Sequence, residues 1–136
     1  MNNFAVAQAR SYDEALAALN NDSYDASVLK AGGLDVLDRL KEGTLETDLL
    51  VNLRHVSRAD VVDNIGWEGE KLRIEAGTTL AEIAASPLLN QEAPVVAQSL
   101  ADAASPAVRN VGTAAGNLLQ RPRCWYFRNA ERSEER

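Results

Sequence analysis

A chain of 136 residues, 46% apolar and 25% charged, suits one domain or two small lobes sharing a core and is too apolar to be disordered throughout. Residues 1–120 carry 9 basic against 17 acidic side chains, so the body lacks the basic face that a nucleic-acid partner needs. The single cysteine, Cys124, excludes an internal disulfide framework, and neither a secretory leader nor a membrane-spanning run is visible, which makes a reduced, cytoplasmic location the default.

In chain order, Phe4–Ala7 reads as a short strand. Ser11 and Glu14 then stand at capping-box spacing ahead of the apolar stripe Ala15, Leu16, Ala18 and Leu19, which predicts a helix ended by the polar stretch at 20–22. Ala26–Lys30 is a strand followed at once by Ala31-Gly32-Gly33. Leu34, Leu37 and Leu40 mark one face of a second helix stopped at Gly43, and Leu49–Leu53 is a buried strand. This β-α-β-α-β alternation favours parallel pairing with right-handed crossovers.

Val61–Ile65 and Leu72–Ala76, joined through Trp67-Glu68-Gly69-Glu70, predict a hairpin. Thr79 and Glu82 repeat the capping-box spacing and open a helix to about Ala85 that Pro87 closes. Pro94–Ala103 is a further helix starting on its proline. Ser105-Pro106 breaks the pattern, Arg109–Leu119 is a Gly/Thr/Asn-rich loop, and nothing past Gln120 reads as a core element. The Arg-rich end at 121–136 reads as a solvated, mixed-charge tail, and His55, the one histidine, as structural.

Two glycine loops carry the functional signal. Lys30-Ala31-Gly32-Gly33-Leu34-Asp35 lies between a strand and a helix start, where glycines permit positive φ and close approach of a ligand to backbone N–H groups. The same loop can equally be a tight turn that needs glycine for geometry alone. Val36 stands where a dinucleotide fingerprint of the Rossmann type wants a third glycine, and no Walker lysine follows. The second loop, Arg109 to Leu118, offers hydroxyl and amide groups suited to phosphate or ribose oxygens, or is a capped turn before a short helix. Two such loops in one small chain point to a dinucleotide.

With these residues in order, the chain resembles the FAD-binding subunits of the molybdopterin dehydrogenase (xanthine dehydrogenase) family. Lys30 through Leu37 is similar to the first FAD loop, Leu72-Arg73-Ile74-Glu75-Ala76-Gly77-Thr78-Thr79-Leu80-Ala81-Glu82 to the middle signature, and Ser105 through Leu118 to the second loop. Gln120-Arg121-Pro122-Arg123-Cys124-Trp125-Tyr126-Phe127-Arg128 resembles the segment that follows in the iron–sulfur-carrying branch, which includes periplasmic aldehyde oxidoreductase.

The resemblance implies an α+β, two-lobed FAD domain. It places the first lobe at 1–55, an incomplete second lobe at 56–128 and a tail at 129–136. Val28, Leu29, Lys30, Ala31, Gly32, Gly33, Leu34, Asp35 and Val36, with Thr113, Gly116 and Asn117, would hold the diphosphate and ribose. Leu34 replaces a threonine common in relatives, which leaves the backbone donors to do that work. The implied function is passage of electrons from a molybdenum-binding large subunit and a 2Fe-2S small subunit, through FAD, to an external acceptor, with no catalytic dyad in this chain. Export with a partner would make such a complex periplasmic. Relatives are expected to continue beyond this length and to carry a 4Fe-4S cluster on four cysteines, of which Cys124 resembles the first; alone it reads as a free thiol. The competing expectations are a non-catalytic assembly module and a nonfunctional truncated remnant with weak or no FAD binding.

Overall fold

The computed structural model describes residues 3–56 and 63–128. The chain divides into two compact units, Met1–Arg58 with Gln120–Arg136 and Ala59–Leu119. Among the described residues no helix is long and apolar enough to cross a membrane.

In the first unit β1 (Ala5–Gln8), β2 (Ser27–Lys30) and β3 (Leu49–Asn52) form a parallel sheet in the order β1-β3-β2. The connections run through α1 (Tyr12–Leu19) and α2 (Leu34–Lys41), as the alternating pattern predicts. All four residues of β3 are buried, which is why its sequence is an unbroken apolar run up to Asn52. Leu49 and Val51 project to one side and form a core with Ala9 and Ala15, joined by Ala18 and Leu19 of α1. Ser11 caps α1 by accepting from Glu14 N–H, and Glu14 answers by accepting from Arg10 N–H.

In the second unit β4 (Ile65–Glu68) and β5 (Lys71–Ile74) pair antiparallel. The hairpin lies closer to its turn than the sequence predicts: Trp67 and Glu68 are strand residues, and Gly69, at φ +60°, opens a two-residue turn. Residues 61 and 62 of the expected first strand lie outside the described set. Helices α3 (Leu80–Ala85), α4 (Pro87–Glu92) and α5 (Pro94–Asp102) follow. Thr79 and Glu82 complete the capping box at α3.

Pro87 ends α3 but also begins α4, a helix absent from the sequence reading. The ring holds Ser86 in an extended conformation, and the Ser86 hydroxyl then caps the new helix by accepting from Leu89 N–H. Ser105-Pro106 works in the same way to start α6 (Pro106–Arg109). Leu80, Ile83, Leu89 and Ala97 form this unit's core, against Ile65, Leu72 and Ile74 of the hairpin.

Two short helices complete the chain: α7 (Ala114–Leu118) in the second unit and α8 (Trp125–Arg128) in the first. The expected second lobe at 56–128 therefore differs from the observed unit at its end, because Gln120–Arg128 packs with the first unit. Ion pairs from Arg123 to Asp38 and from Arg128 to Asp35 and Glu42 fix it there, on the acidic face of α2. No residue of α8 joins either core cluster, and Arg128 is enclosed by its polar partners instead.

Candidate functional site

The first glycine loop begins where the parallel sheet ends. Gln8, Asn52 and Lys30 close β1, β3 and β2 in register, so their side chains fall in one row on one face. The row is hydrogen-bonded across all three strands: Lys30 Nζ donates to Asn52 Oδ1 at 3.3 Å, and Asn52 Nδ2 donates to Gln8 Oε1 at 2.8 Å. Asn52 is nearly buried and also accepts from Arg54 N–H. This network tethers Lys30 at the carboxyl end of the sheet, where open α/β sheets take their ligands.

From Lys30 the chain turns through Ala31 and Gly32 to Gly33, which is buried and has φ +84°. Gly33 is also the N-cap of α2, and it brings no side-chain acceptor to the helix. The first-turn N–H groups of Leu34, Asp35 and Val36 have no intrahelical acceptors, and the helix dipole adds positive potential at that end. A Cβ at Gly33 would stand 2.8 Å from Lys30 Cε and 3.1 Å from Leu37 Cδ1. The lysine stem thus lies against the glycine, with its ammonium beside the loop. Of the nine residues singled out here, Val28, Leu29 and Lys30 end β2, Ala31–Gly33 make the turn, and Leu34–Val36 begin α2.

The second loop is held differently. Thr113 bridges to Thr79, flanked by Leu80 N–H to Gly112 O at 2.9 Å and Ala114 N–H to Thr78 O at 2.8 Å. Ala115 N–H donates to Ala76 O, and the Thr113 hydroxyl caps α7 by accepting from Gly116 N–H at 3.2 Å. Asn117 N–H donates to Thr113 O. Most of this loop's backbone donors are therefore spent inside the protein. Gly116 has a steric reason: a Cβ there would stand 2.9 Å from Thr113 Oγ1. Thr113, Gly116 and Asn117 come together in one turn, in a different unit from Lys30–Val36.

Neither Asn52 nor Gln8 stood out in the sequence. The usable signal was a lone polar residue, Asn52, inside the apolar run from Leu49 to Leu53. Replacing Asn52 by Ala removes the partner of the part-buried Lys30 ammonium, while the exposed Gln8 amide can turn to water. We expect a stability loss of about 1–2 kcal/mol, read from urea unfolding midpoints. Asn52→Asp retains an acceptor for Lys30 and should lose less.

Cys124 is exposed and unpaired with another cysteine, and His55 is exposed in the turn after β3. Among the described residues no group of three or more His, Cys, Asp or Glu side chains could hold a metal ion.

One unit is a parallel sheet that delivers a glycine turn and a lysine to a helix without a side-chain cap, and the other is largely helical with its own glycine turn, which makes a mixed α/β class. The family described as "FAD binding domain in molybdopterin dehydrogenase" matches residues 2–125, and the chain belongs to that family. It is 36% identical over 113 residues to the aldehyde oxidoreductase FAD-binding subunit PaoB of Escherichia coli, covering 82% of this chain and 34% of that protein. Among solved structures it is similar to carbon monoxide dehydrogenase from Hydrogenophaga pseudoflava, with TM-score 0.75, 26% identity, 86% of this chain and 39% of that one covered. Quinoline 2-oxidoreductase from Pseudomonas putida 86 gives TM-score 0.73 at 29% identity, with 86% and 39% covered. The chain spans little more than a third of the length of the curated relatives it matches.

Proposed function

We propose that this chain holds FAD as part of the flavin subunit of a molybdenum hydroxylase. In that role it receives electrons from a molybdenum-binding large subunit through a 2Fe-2S small subunit and delivers them to an external acceptor. The observation that carries the reading is the opening of α2 on Gly33, left-handed and without a side-chain cap, beside the tethered Lys30. The residues fit a diphosphate there: backbone N–H groups of Leu34, Asp35 and Val36 point from a positive helix end, and the absence of a Cβ at Gly33 leaves room for close approach.

Within this reading Val28 and Leu29 deliver the strand end, and Lys30 adds one cation. Ala31, Gly32 and Gly33 form the cradle, and Thr113, Gly116 and Asn117 are the candidates for ribose and phosphate oxygens. Bound FAD supplies the step between two-electron and one-electron chemistry, and the protein's part is to bind and orient it. Cys124 is a free, exposed thiol with no group of metal-ligating side chains around it among the described residues.

Electron transfer is tested by combining the FAD-loaded chain with the two partner subunits and adding an aldehyde or heteroaromatic substrate without oxygen. Bleaching of the flavin absorbance that requires all three components is expected. A flavin that stays oxidised while the molybdenum subunit turns over with an artificial acceptor would contradict the electron-transfer role.

A further inference from the structure

The first turn of α2 contains an apparent conflict. Asp35 lies two residues after Gly33, and a carboxylate there draws on the same positive helix end that an anionic ligand uses. Left unopposed, it would repel a diphosphate held by residues 30–36.

The structure opposes it with three donors. Asp35 Oδ1 accepts from Arg121 N–H at 3.2 Å and from Arg128 Nη2 at 3.0 Å, while Oδ2 lies 3.7 Å from Arg39 Nη1. Arg128 has the more enclosed of the two guanidinium groups. Its side chain is only 8% exposed, it donates Nη1 to Glu42 Oε2 at 2.8 Å, and its Nε–H bonds Pro122 O at 2.9 Å. One guanidinium thus spans carboxylates seven residues apart on one face of α2. The hydrogen bond to Glu42 raises the Arg128 pKa above its ordinary value; burial opposes the rise, and Asp35 and Asp38 add to it. The group stays charged wherever the protein is folded.

Arg123, which reaches Asp38 and Leu34 O, is largely exposed and contributes little by comparison. A strut between the chain and α2 would need only the Glu42 contact. The additional engagement of Asp35, by two guanidinium groups and a backbone N–H, goes beyond that need.

We propose that Arg128 is a positioning residue for the flavin site: it turns the Asp35 carboxylate onto its guanidinium and cancels its charge, keeping the α2 N-terminus available to the FAD diphosphate. This rests on residues 30–36 being the diphosphate loop.

The test is a double-mutant cycle on the 136-residue chain, with FAD affinity read by flavin fluorescence and stability by urea unfolding. Arg128→Met should weaken FAD binding about tenfold, through one uncompensated like charge near the ligand. The deficit should shrink as salt is added, because screening weakens that repulsion. Adding Asp35→Asn to Arg128→Met should restore FAD affinity without restoring stability, a separation that a purely structural role would not produce. Wild-type affinity in Arg128→Met overturns the proposal, as does a double variant that binds as weakly as Arg128→Met. Should Arg128→Met not fold, Asp35→Asn alone decides: tighter binding than wild type is expected, and equal or weaker binding overturns it. A wild-type chain that does not bind FAD removes the diphosphate reading and this proposal together. Failure of the variants alone leaves that reading standing.

Discussion

Gly33→Asp is expected to abolish saturable FAD binding. Three effects act at that position. At φ +84° an L-residue is held in the left-handed region, which costs about 1–2 kcal/mol. Its Cβ would press on Lys30 Cε and Leu37 Cδ1, disturbing the lysine that Asn52 tethers. Its carboxylate would occupy the helix end where a diphosphate should sit. Gly33→Ala removes the last effect and retains the first two, so it should weaken binding without eliminating it. Gly43 provides the control, because it has φ +71° and nothing within 4 Å of a built Cβ. Gly43→Ala should lower stability by about 1 kcal/mol and leave FAD affinity unchanged. Flavin fluorescence titrations beside urea melts separate the contributions. Wild-type affinity in Gly33→Asp would show that the loop does not meet the cofactor.

The largest stability effect is expected at Ile83. It is 2% exposed and packs with Leu80, Leu89 and Ala97 at the centre of the second unit. Ile83→Ala should cost about 2–5 kcal/mol, the spread depending on how far the surroundings close over the cavity. Natural domains hold only about 5–15 kcal/mol in total, so this is a large share. The loss should reach the second glycine loop. Leu80 N–H holds Gly112 O, and the amides of Ala114 and Ala115 bond to Thr78 and Ala76, just ahead of the helix that carries Ile83. Hydrogen exchange should therefore show Ala114 and Ala115 losing protection in Ile83→Ala. An unchanged urea midpoint would mean that Ile83 is not central to this core.

How much of this was legible in the sequence depended on the range of the interaction. The three parallel strands and their two helices could be read locally, because each is an apolar run or stripe bounded by polar or glycine residues. The Ser11 cap and the Thr79 capping box were equally local. Pro87 was half legible: a proline's fixed φ both stops one helix and starts the next, and only Ser86, serving as N-cap, reveals the second role. Trp67 and Glu68 looked like a linker because the turn is only two residues long, so pairing runs closer to Gly69 than composition suggests.

The site divided in the same way. Glycines at 32, 33, 112 and 116 marked both loops, yet sequence could not show which backbone donors the protein uses itself. At Thr113–Asn117 the structure uses most of them. The pairing of Arg128 with Asp35 spans 93 residues, and the ladder of Gln8 with Asn52 spans 44. Contacts of that range follow from topology, not from any local pattern. An arginine-rich stretch that reads as a solvated tail is, over 121–128, bound to α2.

FAD titration of the purified 136-residue chain, followed by flavin fluorescence, tests the central claim most directly. Saturable binding at one FAD per chain is expected, and Gly33→Asp should lose it while Gly43→Ala retains it. A wild-type chain that is folded by circular dichroism and still leaves the flavin signal unchanged would contradict the account.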